Sequence, residues 1–139
     1  MWEESLHTVG AEPSSVNHDE YRARQSRLFS QLRLNDLLII TAPHESVRSN
    51  DVHYAYRTSS EMMYLCGWND PESVFCAFNE DGNWKTVLFV QSKDVLKEIW
   101  EGRRPGVEGA VKDWPVDIAH PHENLNQILS EMLVKCSRV

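Results

Sequence analysis

Three short apolar runs separated by turn-forming residues constrain the fold of this chain most strongly. They are Leu37–Thr41, Val74–Phe78 and Trp84–Val90. Each has the length of a strand, and near-continuous apolar runs are typical of strands that are covered on both faces of a sheet. The stretch 79–83 is rich in Asp, Asn and Gly, and it predicts a hairpin with a five-residue loop between the last two runs.

Segments with helical spacing of apolar residues are interspersed with these runs. Asn17, followed by acidic residues, predicts a helix start, and Ser59 and Ser60 predict the start of a short helix that ends at Gly67. Ser92 predicts the cap of a further helix. The full set of predicted segments is a helix to about residue 33, the short helix before residue 67, helices at 93–101, 107–114 and 122–134, and a strand at 116–119.

This order of elements predicts one α/β (α+β) domain in which helices flank a mixed sheet. Residues 1–16 mix Gly, Pro, Ser and acidic residues without a period, so we expect a flexible N-terminal arm before a domain at 17–139. In the last predicted helix, Leu125, Ile128, Leu129, Met132 and Leu133 are expected to face inward.

Charge and cysteine content narrow the classes of partner. The 139 residues carry 14 Lys and Arg against 21 Asp and Glu, a formal net charge of −7. An anionic chain repels phosphate backbones, so neither nucleic acid nor a membrane is expected as a partner. Three widely spaced cysteines in apolar surroundings, without a recognisable targeting signal at the start, predict buried reduced thiols and a cytoplasmic location.

The sequence offers little chemistry of its own. It contains no glycine-rich phosphate loop, no Gly-x-Ser-x-Gly, no Cys-x-x-Cys and no His-Glu-x-x-His. The pair His120-Pro-His122 is expected to be a surface turn before a helix, since a metal site needs further ligands held by the fold. We therefore expect neither catalytic residues nor metal or cofactor binding on this chain.

Two longer blocks carry a resemblance to a known family. The first is a Tyr-x-Tyr-Arg-x-x-Ser-Glu-x-x-Tyr-Leu-x-Gly pattern, and the second is an Ile-Trp-x-Gly-Arg-Arg block. Together they resemble the N-terminal domain of aminopeptidase P, the Xaa-Pro aminopeptidase branch of the creatinase/prolidase family. The residues of the two blocks, which are expected to build the domain, are Tyr54, Tyr56, Arg57, Ser60, Glu61, Tyr64, Gly67, Gly102, Arg103 and Arg104.

The resemblance implies a two-domain metallopeptidase whose N-terminal domain has a mixed sheet with a ribonuclease H-like motif. It also implies a C-terminal pita-bread domain, absent from this sequence, that binds two divalent metal ions, usually manganese, and releases an N-terminal residue when proline follows. The implied partners are that catalytic domain, neighbouring subunits of a homo-oligomer, and peptides with proline in the second position. Trp100 and Asp51 match family residues that reach toward a neighbour's substrate pocket.

Other interpretations of these residues and of the chain stay open. Trp100 lies four residues after Leu96, so packing in the core explains it without the family resemblance, and on the sequence alone this interpretation is favoured. Asp51 is equally credible as a turn or cap acid. The chain alone is expected to be inactive and its parent protein to be an enzyme. The alternatives are the N-terminal domain of a prolidase, or a free-standing interaction module with this fold and no peptidase activity.

Overall fold

A computed structural model describes residues 17–43, 47–48, 52–53, 58–94, 96, 99 and 104–139. Helices and strands are interspersed along this part of the chain, as the sequence predicts. The helices are α1 (His18–Phe29), α2 (Ser60–Leu65), α3 (Gly106–Asp113) and α4 (Leu125–Lys135), with a 3-10 turn at His122–Asn124 before α4. The strands are β1 (Leu37–Thr41), β2 (Val47–Arg48), β3 (Val52–His53), β4 (Val74–Glu80), β5 (Asn83–Val90) and β6 (Ile118–Pro121).

The main sheet has four strands in the order β1-β4-β5-β6, and β2 and β3 form a separate antiparallel pair. Strands β1, β4 and β5 are antiparallel neighbours, whereas β6 runs parallel to β5. This mixed sheet with helices agrees with the predicted fold class. A parallel neighbour needs a crossover connection, and the segment that contains α3 provides it between β5 and β6.

The hairpin between β4 and β5 is tighter than predicted. Pairing continues to Glu80↔Asn83, so two residues form the turn instead of five. Both of them, Asp81 and Gly82, have positive φ angles of 54° and 87°. Turns with positive φ at both central residues match the twist of the flanking strands, and Asp-Gly is a favoured pair for them. The polar residues of 79–83 therefore extend the strands and do not widen the loop.

Strand β6 and the first helix also differ from their predicted bounds. Strand β6 occupies Ile118–Pro121 and not 116–119, and its last residue is proline, which an edge strand tolerates because its lost N–H is not needed in the ladder. Helix α1 ends at Phe29, before the expected residue 33, because the amides of Gln31 and Leu32 bond carbonyls three residues back.

The sheet has an apolar core on each face. Helices α1, α2 and α3 cover the first face, where the Trp68 and Trp114 rings meet edge to face at 4.7 Å between centroids. The Trp68 indole N–H donates to Ser73 Oγ at 2.8 Å, which satisfies a fully buried donor. This core also contains Phe29, Met62, Leu65, Cys66, Phe75, Ala77, Leu88, Val90, Ala110, Val116 and Ala119.

Helix α4 packs on the second face. Its Leu125, Ile128, Leu129 and Met132 contact a core formed by Leu37, Val74, Cys76, Val87 and Phe89. The prediction for Leu133 was wrong, because its side chain is 43% exposed. One helix presents a stripe to a sheet, and Leu133 lies beyond that stripe.

Parts of the predicted organisation lie outside the described residues. These are the arm at 1–16 and most of the helix predicted at 93–101. Leu96 and Ile99 are described and helical, whereas Lys93 and Asp94, where the helix was predicted to begin, are not helical. Within the described ranges, no helix is both long enough and apolar enough to span a bilayer.

Candidate functional site

A polar groove lies where the parallel strands β5 and β6 reach their carboxyl ends. In open α/β sheets, ligands and partners are commonly held at this edge. The groove has a volume of about 390 Å³. We call it the strand-end groove, and it is lined by Glu72, Gln91, Ser92, Lys93, Asp94, Arg104, His122 and Glu123.

Hydrogen bonds join the segments that form the strand-end groove. Ser92 Oγ donates to Glu123 Oε2 at 3.2 Å, and Arg104 Nη1 donates to the carbonyl oxygen of Ser92 at 3.3 Å. The amide of Leu96 donates to Asp94 Oδ1 at 3.1 Å. Asp94 therefore accepts at the start of the following helical segment. The Ser92 hydroxyl, which was predicted to cap that segment, instead donates to Glu123, in the 3-10 turn that follows β6.

A glycine is required beside this groove. Gly106 has a φ of +72°, and a Cβ atom built there would lie 2.6 Å from Lys93 Cγ. The conformation disfavours other residues, and the close approach leaves no room for a side chain. Gly106 thus allows the aliphatic part of Lys93 to pack against the start of α3.

Tyr64 belongs to a second surface feature, between α1 and α2. The Arg24 guanidinium lies 4.5 Å from the centroid of the Tyr64 ring, and Arg24 Nη1 donates to the Tyr64 carbonyl at 3.1 Å. Arg27 Nη2 donates to Tyr64 Oη at 3.4 Å. Because Tyr64 is 49% exposed, it joins two helices through cations at the surface and is not part of the buried core.

The structure describes five of the residues selected from the sequence. Ser60 is the first residue of α2, Glu61 is exposed in its first turn, and Gly67 follows the end of α2 with a φ of 71°. The described residues therefore do not form one cluster, since Arg104 lies in the strand-end groove and Tyr64 lies between α1 and α2. The others lie outside the described residues: Asp51, Tyr54, Tyr56, Arg57, Trp100, Gly102 and Arg103.

Two apolar side chains that come shortly before Trp100 in the sequence are exposed. Leu96 is 73% exposed and Ile99 is 68% exposed. The spacing of Leu96 and Trp100 predicts packing against the core, and for Leu96 that prediction was wrong. These two exposed residues come shortly after Asp94 in the sequence, and Asp94 lines the strand-end groove.

Sequence reasoning missed a polar network beneath α1. Gln25, 2% exposed, donates through Nε2 to the carbonyls of Leu65 and Pro115, both at 2.9 Å. Thr86 Oγ1 donates to Asp117 Oδ2 at 3.1 Å and accepts from the Asp117 amide at 2.9 Å. Gln25 lies four residues from Tyr21 and from Phe29 on the buried face of α1, so helical spacing alone would have marked its position.

The described side chains show no metal-binding cluster, and two of the cysteine thiols are deeply buried. Among them, no three His, Cys, Asp or Glu residues lie close enough together to hold a metal ion. Burial raises the pKa values of the Cys66 and Cys76 thiols to about 12, so neither forms a reactive thiolate near neutral pH. Within the described ranges, no cluster of side chains matches the dinuclear metal site that the family resemblance implies.

Comparisons with known proteins agree with one another. The family model "Aminopeptidase P, N-terminal domain" matches residues 21–139. The Xaa-Pro aminopeptidase of Escherichia coli is 34% identical over 121 residues, which cover 86% of this chain and 27% of that protein. The Haemophilus influenzae Xaa-Pro aminopeptidase is 32% identical over 115 residues, covering 83% of this chain and 27% of the relative.

Solved structures show the same similarity. The low-pH form of E. coli aminopeptidase P matches with a TM-score of 0.81 and 34% identity, covering 86% of this chain and 28% of that one. This chain therefore spans little more than a quarter of the length of these relatives. The match over residues 21–139 covers most of the sequence, and the chain belongs to the aminopeptidase P N-terminal domain family.

Proposed function

We propose that this chain is the non-catalytic N-terminal domain of a metal-dependent Xaa-Pro aminopeptidase. The full-length protein would release the N-terminal residue that precedes proline. Its two divalent metal ions, expected to be manganese, would bind outside this chain. The domain would contribute to oligomerisation and to the walls of the substrate pocket.

The observation that carries this proposal is the family match together with its coverage. Relatives named Xaa-Pro aminopeptidase align to this chain over only 27% of their own length. Most of each relative lies outside the matched segment, which leaves ample sequence for a catalytic domain. Among the described residues, the Cys66 and Cys76 thiols are buried, and no three His, Cys, Asp or Glu side chains lie close enough together to hold a metal ion.

The exposed helical surface at Leu96 and Ile99 supports a contact role. Exposed apolar side chains that lie together are typical of interaction sites, and an indole adds a flat apolar surface suited to a peptide or to a neighbouring subunit. Trp100 follows Ile99 directly in the sequence. We propose that Trp100 lines the pocket of a neighbouring subunit.

We propose that charged residues close in sequence to Leu96 or in the strand-end groove form the polar rim of this subunit interface. Arg104 and Glu123 lie in the strand-end groove. Asp94 lines the same groove and accepts a hydrogen bond from the amide of the exposed Leu96. A carboxylate at Asp51 would pair with a substrate amine or with an arginine across the interface. Arg103 is proposed to contact an acidic surface on the neighbour.

The test is Trp100→Ala in the full-length protein, with Trp84→Ala as its matched control. Trp84 is half-buried, and its ring stacks on that of Phe29 with 5.0 Å between the centroids, so it packs against the core. We expect Trp100→Ala to lower kcat/KM for peptides longer than two residues by about tenfold, the loss of about 1.4 kcal/mol of transition-state binding. Trp84→Ala is expected to lower Tm and leave kcat/KM of the folded enzyme unchanged.

Light scattering on the same samples reports the oligomeric state. A large fall in Tm for Trp100→Ala, with unchanged kinetics and unchanged assembly, would place Trp100 in the core and contradict the contact role. For location we propose the cytoplasm, since reduced thiols persist there and Cys66 and Cys76 are free and buried. Cell fractionation with an antibody to the domain tests this.

A further inference from the structure

The turn between β4 and β5 carries the one Asp-Gly pair of the sequence, Asp81-Gly82, and the sequence contains no Asn-Gly. Both residues are exposed. The space beside Gly82 is open, since a Cβ atom built there would meet no heavy atom within 4 Å apart from its chain neighbours. An Asp-Gly pair is prone to rearrange without an enzyme, because glycine has no side chain to obstruct attack by its backbone nitrogen on the aspartyl side chain.

The rearrangement needs no reagent other than water. The Gly82 nitrogen forms a bond to Cγ of Asp81, and the hydroxyl group of the protonated carboxyl leaves as water with the amide hydrogen. The product is a five-membered succinimide ring. Water then adds to one of the two ring carbonyl carbons and breaks the bond from that carbon to the nitrogen. Attack at Cγ restores aspartate, whereas attack at the main-chain carbonyl carbon leaves isoaspartate, in which the backbone runs through Cβ and Cγ.

The folded turn opposes the first of these steps. The Gly82 amide donates to Asn79 Oδ1 at 3.1 Å, and this bond engages the hydrogen that must be lost. Pairing in the strands, at Glu80↔Asn83 and Asn79↔Trp84, continues up to the turn, whose two residues have positive φ angles. The nitrogen is therefore free to react only when the turn opens.

We propose that Asp81 is a site of spontaneous isoaspartate formation, and that the Asn79 side chain protects it by holding the Gly82 amide in the closed turn. The modification then takes place from the open turn, at a rate set by how often the hydrogen bond to Asn79 breaks. Asn79 is a positioning residue that acts through the Gly82 amide, and it takes no part in the bond changes.

Isoaspartate would alter the hairpin, because it adds one carbon atom to the main chain of a two-residue turn. Such a turn joins paired strands well because its twist matches theirs. The pairs nearest to the turn, Glu80↔Asn83 and Asn79↔Trp84, should be lost first. Trp84 also stacks on Phe29, with 5.0 Å between the ring centroids, against the first core. We therefore expect the modified chain to unfold at a lower midpoint than the unmodified chain.

Incubation of the 139-residue chain at pH 6, below its unfolding midpoint, tests the proposal. Samples taken over several weeks are digested, and isoaspartate is identified by resistance to an Asp-specific endoprotease and by electron-transfer fragmentation. We expect it to accumulate at Asp81. Asp117 is the internal control, since the β-branched Ile118 follows it and obstructs the same attack. A synthetic peptide of residues 78–85 is the open reference, and it should isomerise on the order of tenfold faster than the folded chain.

Two variants of residue 79 test the protecting role. Asn79→Ala removes the acceptor and should accelerate isoaspartate formation at Asp81 by about two- to tenfold, the factor by which the loss of one hydrogen bond favours the open turn. Asn79→Asp keeps an oxygen that accepts from the Gly82 amide, so its rate should stay close to that of the native chain.

Hydrogen exchange at the Gly82 amide is a readout that does not depend on the rearrangement. Asn79→Ala should accelerate this exchange by the same factor as isoaspartate formation, because both reactions start from the open turn. Alkylation of Cys76, which is buried in β4, distinguishes opening of the turn from opening of the whole sheet. The rate of that alkylation should be the same in the native chain and in Asn79→Ala.

Four results would overturn the proposal. Isoaspartate could form at Asp117 as fast as at Asp81, so that the Asp-Gly pair would not be the preferred site. The folded chain could isomerise as fast as the peptide, which would show that the turn gives no protection. Asn79→Ala could leave the rate at Asp81 unchanged, or it could accelerate that rate together with the alkylation of Cys76. Either of these last two results would contradict protection through the Gly82 amide.

Discussion

Strands β1 and β5 have similar sequences and different environments. Leu-Leu-Ile-Ile-Thr in β1 and Thr-Val-Leu-Phe-Val in β5 are both apolar runs. Thr86–Val90 is buried throughout, whereas β1 is buried only at Leu37 and becomes progressively more exposed. Strand β5 has a partner on each side, and β1 has a partner along its whole length on one side only. The comparison teaches that an apolar run favours a strand but does not by itself determine how fully the neighbouring elements cover that strand.

Alanine substitutions are expected to show the largest difference in free energy of unfolding between the two strands. Leu88 is fully buried in β5 and Ile40 is half-buried in β1. We expect Leu88→Ala to lower the free energy of unfolding by about 2–5 kcal/mol, because it removes packed methyl groups and leaves a cavity. Ile40→Ala should cost less than half as much in the 139-residue chain. Urea unfolding monitored by tryptophan fluorescence measures both, and equal losses would break the comparison.

The threonines of the two strands permit an isosteric version of the same test. Thr86 exchanges hydrogen bonds with Asp117 and also accepts from Arg22 Nη1 at 3.3 Å, whereas Thr41 is exposed. Thr86→Val should cost about 0.5–1.5 kcal/mol, since it removes the hydrogen bonds of the buried hydroxyl with Asp117 and Arg22. The Asp117 amide keeps its bond to the Thr86 carbonyl, and Arg22 Nη1 keeps its bond to Gln25. Thr41→Val should change the free energy of unfolding by less than about 0.5 kcal/mol. A loss at Thr41 as large as that at Thr86 would contradict the difference in side-chain burial between the two strands.

The ion pair at the start of β1 makes stability depend on pH. Hydrogen bonds from Arg138, followed by the backbone bond from Arg33, lower the pKa of the Asp36 carboxyl in the folded state. Its stabilisation is therefore complete above the ordinary carboxyl pKa of about 4 and is lost as pH falls through the lowered folded value. Asp36→Asn should destabilise the chain at pH 7, by less than Thr86→Val does, and this difference from the native chain should vanish at low pH.

Asp81→Asn is the control for this pH effect. Asp81 is exposed in the β4–β5 turn with a φ of 54°, a conformation that asparagine also adopts readily. It should not alter the unfolding midpoint between pH 2 and pH 7 by more than a small amount. A loss for Asp36→Asn that stays constant across this range would show that its carboxylate charge is not what stabilises the pairing.

The smallest expected effect is a difference in the rates at which the cysteines are alkylated, without a change in the fold. Burial raises the pKa of Cys76, in β4, to about 12, while Cys136, after α4, is half-buried and has a pKa raised by burial and by Asp36. Iodoacetamide at pH 8 should modify Cys136 slowly, and it should modify Cys66 and Cys76 only after unfolding. Mass spectrometry over time measures this order, and early modification of Cys76 would show that the centre of the sheet opens.

Much of the fold could be predicted because its signals are local. Apolar runs located three strands of the sheet, and the serine and glycine around α2 set its bounds. What the sequence did not disclose depends on residues far apart. The order of the strands, the pairing of Asp36 with Arg138, and the network that joins Thr86 to Asp117 all require the tertiary structure.

The candidate site shows the same division. The family blocks identified the segment that contains Trp100, whereas the strand-end groove is formed by residues from four separate parts of the chain: Glu72, 91–94, Arg104 and 122–123. Helical spacing predicted inward packing for Leu96, and this prediction was wrong because the spacing alone does not determine which face of a helix is covered. The exposure of Leu96 and Ile99 is a property of the assembled domain, and it is what favours a contact surface.

The most direct test of this account is hydrolysis of an Xaa-Pro peptide by the 139-residue chain and by the full-length protein, both in excess manganese. We predict release of the N-terminal residue by the full-length protein, and a rate at the buffer background for the folded 139-residue chain. Sustained turnover by the shorter chain, abolished by a chelator and restored by metal, would contradict the claim that this domain provides structure and contact surface while catalysis lies elsewhere.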